Sequence, residues 1–260
     1  MARIDTCRGT IGVSDGGGGD PATPILFLHG VGSDRSVWHP QLDHLAGRRR
    51  ALAIDHPGYG DSEFHADAAR DDFAAAGWAA LDALGIGRAH LCGLSLGGVV
   101  AIAMHHAAPG RVASLVIADS FAVHPDGPAI HQRSVAASQT MPMRALAEAR
   151  VPALVGASAS AELRAELVET MAAIDPAAFR IGSAAVWLAD QCERVARIAV
   201  PTLVLVGNED QVTPPTLSVD LHRRIVGSTL AMINHAGHLA NVEQPEMFNG
   251  LVDRFLTTID

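Results

Sequence analysis

The stretch HLCGLSLGGVV at residues 90–100 decides how this chain is built. Apolar residues run into Gly93, a serine follows at Ser95, and glycines return at Gly97 and Gly98. A buried strand, a tight turn and a helix would produce this pattern. The turn has the form G-x-S-x-G. A serine on so sharp a turn takes a strained backbone, and side chains two residues before and after it would collide, which is why both flanking positions are glycine. Such a turn exposes Oγ and aims a helix N-terminus at charge developing beside it. Ser95 is therefore a candidate nucleophile, and the rest of the chain must supply its partners.

Working outward, the N-terminal segment RIDTCRGTIGVSDGGGGDP (3–21) alternates and turns on glycine, which predicts an antiparallel hairpin followed by a loop at Gly16 to Gly19. ILFLHG (25–30) and the ALAI of RALAIDHPGYGDS (50–62) are short apolar runs bounded by turn residues, the mark of strands buried on both faces. VWHPQLDHL and residues 69–84 have helical spacing. After the turn, LGGVVAIAMHHAAP predicts a helix stopped by Pro109, and VASLVIADS a sixth strand. Strand and helix alternate, so the fold class is α/β with a mostly parallel central sheet flanked by helices. The alternation breaks at 121–197, an Ala- and Glu-rich stretch with helical pieces near 129–137, 143–149, 161–173 and 177–189. It resumes with PTLVLVG, a helix after Pro215, STLAMIN and a last helix at 245–256. The expected organisation is a core of residues 1–120 and 198–260, with 121–197 inserted after the sixth strand as a helical cap over the carboxyl ends of the strands, where open α/β sheets bind ligands.

Composition narrows the function. The 260 residues are 48% hydrophobic with a formal charge of -9, and the 19 basic residues are all arginine. An acidic surface without long basic runs argues against nucleic acid and against an anionic membrane surface; Arg48-Arg49-Arg50 is expected to be a solvated lead into a strand. Without lysine there is no Schiff-base lysine, P-loop lysine or Ser-Lys dyad. Cys7, Cys92 and Cys192 are odd in number and far apart, so neither a disulfide framework nor a zinc site is expected, and the default compartment is the reducing cytoplasm. No leader-like or membrane-spanning apolar run is present in the sequence. The chain has no HExxH, His105-His106 cannot both face one metal from a helix, and no GxGxxG follows an early strand, so no metal and no dinucleotide is expected.

A serine nucleophile needs a base, and the base needs an orienting acid. Among 13 histidines, His238 follows the last predicted strand and precedes the last helix, with His235 the nearest competitor. Asp210, after the strand TLVLVG, is the expected acid; Glu209 beside it and Asp119 at the end of the sixth strand are alternatives. Leu96 and Val31 are the expected backbone N–H donors of an oxyanion hole. His29 and Gly30 open the loop that carries Val31, and His29 is expected to hold that loop by hydrogen bonds.

LHGVGSDRSVW, DHPGYGDS, GLSLGG, GNEDQVTPP and AGHLANVEQPE together resemble, in order and over nearly the whole length, the landmarks of the α/β-hydrolase fold superfamily. The order Ser95, Asp210, His238 is the one described for it. HLANVEQPEMFN and IAVPTLVLVGNEDQVTPP resemble its 3-oxoadipate enol-lactonase branch. The resemblance implies cofactor-free hydrolysis of a small ester or lactone through an acyl-enzyme, with Ser95, Asp210 and His238 as triad and Val31 and Leu96 as oxyanion donors. It also implies cationic partners for an acidic lactone, for which Arg133, Arg144, Arg150, Arg164 and Arg180 are candidates. The same triad would serve C–C bond hydrolysis or a perhydrolase reaction, and the fold also serves ligand receptors with little turnover. Dehalogenases and epoxide hydrolases, which use aspartate at the turn, are disfavoured by Ser95.

Overall fold

The computed structural model describes residues 2–18 and 22–259; Gly19, the last residue of the expected glycine loop, lies outside them. Among the described residues the strands are β1 (Ala2–Thr6), β2 (Gly9–Asp15), β3 (Ile25–Leu28), β4 (Ala51–Ile54), β5 (Ala89–Leu94), β6 (Val112–Ala118), β7 (Thr202–Gly207) and β8 (Thr229–Ile233). They form one sheet in the order β1-β2-β4-β3-β5-β6-β7-β8. β1 and β2 are the hairpin, β2 pairs antiparallel with β4, and every later pairing is parallel. β3 to β7 are buried on both faces, which is why they read as unbroken apolar runs. The edge strand β8 is partly exposed and carries Thr229 and Met232 outward.

The chain leaves β3 toward β4 on one side, then crosses to β5 on the other. The switch point lies between β3 and β5, where the loops diverge and open a crevice. Their register pairs Leu28 with Gly93, which sets the loop beginning at His29 beside the turn at Ser95.

The core helices are α1 (His39–Leu45), α2 (Arg70–Ala83) and α3 (Leu96–Ala107). The Asp72 carboxylate accepts from the Ala69 N–H, and Asp71 and Asp72 complement the positive end of α2. α3 is apolar nearly all round because it is enclosed nearly all round: residues 96–105 are buried. Between β6 and β7 lie α4 (Gly127–Thr140), α5 (Met143–Leu154), α6 (Ala161–Ala172), α7 (Pro176–Trp187) and the one-turn α8 (Cys192–Val195). α4 packs on α7 and α5 on α6. The neck of this insertion is closed by a bridge between Val123 and Asp190, by a hydrogen bond from the Gln191 N–H to the Ala122 carbonyl (2.8 Å), and by Gln191 Nε2 on the Val99 carbonyl (2.7 Å). α9 (Pro215–Arg224), α10 (Ala240–Glu243) and α11 (Pro245–Thr257) complete the core. Phe248 of α11 reaches Trp38, whose ring lies tilted against that of Phe27 of β3. No described helix is long and apolar enough to cross a membrane.

The loops after β3 and β4 are tied together by a buried ion pair. The Arg35 guanidinium meets Asp55, and its Nη2 lies 2.6 Å from Asp61 Oδ2. The Asp55 carboxylate also accepts from the Arg35 N–H (2.8 Å) and the Asp61 N–H (2.9 Å). Removing the guanidinium leaves a fully buried carboxylate without its counter-charge. Arg35→Ala is therefore expected to lower unfolding free energy by roughly 3–5 kcal/mol, measured by urea denaturation. A loss no larger than that of an exposed pair such as Arg144–Glu169 would contradict this.

Candidate active site

Ser95 is the residue between β5 and α3, with φ 55° and ψ -114°. A side chain rarely adopts this backbone, and the conformation costs on the order of 1–3 kcal/mol. The turn is held from several directions. The Ser95 N–H donates to the Ala118 carbonyl (3.0 Å), and the Ser95 carbonyl accepts from the Gly98 N–H, the Val99 N–H and Ser120 Oγ. The glycines supply space. A Cβ on Gly93 would overlap the Gly97 carbonyl, and one on Gly97 would overlap the carbonyl of Leu28 in β3. Gly30 lies close to the serine itself, with a Cβ there falling 3.2 Å from Ser95 Cβ.

His238 stands in the loop between β8 and α10. Its N–H donates to the carbonyl of Leu154, the last residue of α5 (2.9 Å), so the insertion fixes the backbone of this loop. Its Nδ1 lies 2.8 Å from Asp210 Oδ2. A carboxylate at that distance holds the ring proton on Nδ1 and leaves Nε2 as the basic nitrogen. Both side chains are buried. His235, the competitor, is 77% exposed and stands 3.9 Å from Glu209 instead.

Asp210 follows β7. Its Oδ1 accepts from the N–H groups of Val212 (2.8 Å) and Thr213 (3.0 Å). Thr213 Oγ1 lies 2.6 Å from Asp210 Oδ2, 2.9 Å from the Asp119 carbonyl and 3.1 Å from His238 Nδ1. Burial pushes the Asp210 carboxyl up, but the charge of His238 and the hydrogen bonds from His238 and Thr213 outweigh it and hold the group below its ordinary value. Asp119 goes the other way. It is fully buried, its Oδ1 accepts from the Gly207 N–H (2.8 Å), and its Oδ2 has no hydrogen-bond partner among the described residues. Burial first, then the negative charge of Asp210, push it well above the carboxylate range, with a smaller push from Glu243. Of the two carboxyls, Asp210 carries the charge and faces the histidine.

Ser95, His238, Gly30 and Val31 line one small cavity, closed by Leu94, Leu154, Leu167, Met171 and Leu239. It offers about 10 Å³ to the centre of a water molecule, room for about one water. Leu96, at the start of α3, has its N–H in the first helical turn, where no intrahelical carbonyl is available. His29 is buried, with Nδ1 2.8 Å from the Gly30 carbonyl and Nε2 accepting from the His56 N–H (3.0 Å).

Three participants escaped the sequence reading. Thr213 had a weak signal, a hydroxyl three residues after an aspartate in a turn. The Leu154 carbonyl had none. Glu243 had none either: its carboxylate accepts from the Gly156 N–H (2.6 Å) and the Gly237 N–H (2.9 Å), pinning the end of α5 to the histidine loop.

The profile of the Alpha/beta hydrolase family matches residues 25–251. Among similar proteins, 3-oxoadipate enol-lactonase 1 of Acinetobacter baylyi is 28% identical over 244 residues, covering 93% of this chain and 91% of that protein. The solved enol-lactonase of Burkholderia xenovorans superposes with a TM-score of 0.92 at 24% identity, over 98% of this chain and 100% of the other, a likeness of fold. A thermophilic esterase of Thermogutta terrifontis, solved with malate bound, gives a TM-score of 0.89 at 28% identity over 99% and 98% of the two chains.

The two carboxyls have opposite effects on stability. Asp210, with a lowered folded pKa, stabilises above its unfolded value, and that contribution is lost as pH falls through the folded value. Asp119, with a raised folded pKa, has no such effect below the unfolded value of about 4 and destabilises increasingly as pH rises above it. Asp119→Asn keeps the acceptor for Gly207 and removes the ionisation. It is expected to raise the urea midpoint near neutral pH, with the gain shrinking as the pH approaches about 4. A gain independent of pH would show that Asp119 does not titrate between the two states.

Proposed function

Because the chain belongs to the alpha/beta hydrolase family, we propose that it is a serine hydrolase of small carboxylic esters or lactones, with Ser95 as nucleophile, His238 as base and Asp210 as orienting acid. The observation that carries this reading is the pairing of His238 Nδ1 with Asp210 at 2.8 Å, next to a cavity that His238 shares with a serine on a strained turn. Ser95 Oγ adds to the carbonyl carbon while His238 Nε2 takes its proton. The N–H groups of Val31 and Leu96 stabilise the tetrahedral oxyanion. The proton on His238 passes to the leaving oxygen as the acyl-enzyme forms. Water, deprotonated by the same nitrogen, then releases the acid and regenerates Ser95. Gly93, Gly97 and Gly30 make room for the turn, and His29 holds the loop that presents Val31.

The substrate class is a small ester or lactone bound beneath residues 121–197, which act as a cap on the core formed by 1–120 and 198–260, with the cavity at Ser95 widening from its room for about one water to admit it. An enol-lactone such as 3-oxoadipate enol-lactone is the specific candidate, supported by the likeness to the Acinetobacter baylyi enzyme over nearly the whole chain. No step calls for a cofactor.

A fluorophosphonate probe is expected to label Ser95, located by mass spectrometry, and the adduct is expected to vanish in His238→Ala. Ser95→Ala is expected to lower kcat on the best ester or lactone of a panel by roughly 10⁶-fold. Unchanged turnover in folded Ser95→Ala would overturn the mechanism. Labelling without turnover on any ester or lactone would favour a ligand receptor.

A further inference from the structure

The loop after β4 carries a residue that neither the triad nor the oxyanion donors account for. His56 is fully buried. Its backbone N–H donates to Nε2 of His29 (3.0 Å), and its own Nε2 lies 2.9 Å from the His29 carbonyl. One residue therefore grips His29 at both the ring and the main chain. The two rings stand 4.3 Å apart between centroids, tilted by 45°. His56 also meets the Phe73 ring of α2, with centres 5.3 Å apart and planes at 72°.

These contacts fix where the protons sit. A backbone N–H can only donate, and a carbonyl can only accept. Nε2 of His29 faces an N–H and so carries no proton. The ring proton is on Nδ1, which donates to the Gly30 carbonyl at 2.8 Å. Nε2 of His56 faces a carbonyl and so carries the proton. Its Nδ1 is left bare, enclosed and without a partner among the described residues. Burial draws the pKa of both rings down, and that of His56 well below the ordinary histidine value, so both are neutral. An imidazole set among aromatic rings with one nitrogen unmatched is costly to bury. Among the described residues, the one hydrogen bond its ring makes is to the His29 carbonyl.

The chain of bonds ends at the loop beside the serine. A trans peptide is planar, and its C=O and N–H point in opposite directions. With the Gly30 carbonyl drawn to the His29 ring, the Val31 N–H points away from that ring. It has no acceptor among the described residues. Gly30 and Val31 line the cavity that Ser95 and His238 share, and neither His29 nor His56 lines it. We propose that His56 is a positioning residue for the oxyanion hole: it holds His29 at ring and carbonyl, so that His29 orients the Gly30–Val31 peptide and aims the Val31 N–H into the cavity. This rests on the serine hydrolase reading above and adds to it the residue that sets the direction of one oxyanion donor. His56 touches neither the substrate nor the reacting atoms and acts through His29.

The test compares p-nitrophenyl acetate with its thiono analogue, in which sulfur replaces the carbonyl oxygen. Sulfur is larger and a weaker acceptor, so well-aimed oxyanion donors favour the oxygen ester. A loss of folded enzyme lowers both rates alike and leaves their ratio unchanged. His56→Phe keeps a ring of similar size and removes the donor to the His29 carbonyl. It is expected to lower kcat/KM by roughly 30-fold on the oxygen ester and roughly 3-fold on the thionoester, so that the ratio falls about 10-fold. His56→Gln, whose amide nitrogen can stand where Nε2 does, is expected to restore most of the ratio. His56→Leu also lacks the donor and serves if His56→Phe does not fold. A ratio unchanged in the donor-less variant, or a fall that His56→Gln does not relieve, would assign His56 a packing role and overturn the proposal. Crystal structures of wild type and the donor-less variant separate this result from failure of the hydrolase reading. A Gly30–Val31 peptide that rotates in the variant upholds the positioning role even if neither ester is turned over. An unmoved peptide sinks it even if both are hydrolysed.

Discussion

The first turn of α3 rests directly on the end of β3: at Gly97 the helix backbone comes so close to the Leu28 carbonyl that no side chain fits between them. Much follows from this contact. It fixes the height of the helix above the sheet, and therefore how sharply the chain must turn at Ser95. It brings the β3 loop, with His29, Gly30 and Val31, alongside the serine, because β3 and β5 are neighbours in register. The sheet order places this contact at the switch point, where chain connections leave in opposite directions and a crevice is unavoidable. The strain at Ser95 is tolerable because the surrounding backbone is over-determined: its N–H and carbonyl are both bonded, and the adjoining strand and helix are buried at almost every residue.

The insertion between β6 and β7 is coupled to this crevice more closely than a cover resting on top. Its neck is bonded to the core through Gln191, and the far end of α5 is bonded to the histidine loop through the Leu154 carbonyl and Glu243. Leu154 of α5 closes the cavity together with Leu167 and Met171 of α6. A displacement of α5 would therefore alter the size of the cavity and the backbone position of His238 together.

Electrostatics at the strand ends depend on a division of labour between two carboxyls. The charge of Asp210 adds to burial in raising the cost of ionising Asp119, and the environment resolves the conflict. Asp210 collects two backbone N–H groups, a threonine hydroxyl and a histidine; Asp119 has one N–H and an unmatched oxygen. One negative charge in the pair is what a histidine holding its proton on Nδ1 requires, since a second would draw a proton into the site.

What the sequence determined by itself was everything carried by local chemistry and period. Buried parallel strands announce themselves as short apolar runs, helices by their spacing, and the turn at Ser95 by glycines that have no steric alternative. The order of serine, aspartate and histidine at the ends of particular strands was legible for the same reason, because strand ends are visible in the sequence. The sequence reading put Asp210 ahead of Asp119, though both follow buried strands; tertiary structure shows why the Asp210 carboxyl faces His238, since it collects the N–H groups of Val212 and Thr213, the Thr213 hydroxyl and the imidazole. Tertiary structure also decided contacts that had no sequence signal. It alone set Glu243 on the N–H groups of Gly156 and Gly237 and the Leu154 carbonyl on His238. It alone left the Nε of Arg150 enclosed without a partner among the described residues. These outcomes depend on burial and on partners distant in the chain, and an arginine on a helix looks the same in sequence whether its guanidinium ends in water, on a glutamate or over a phenylalanine ring.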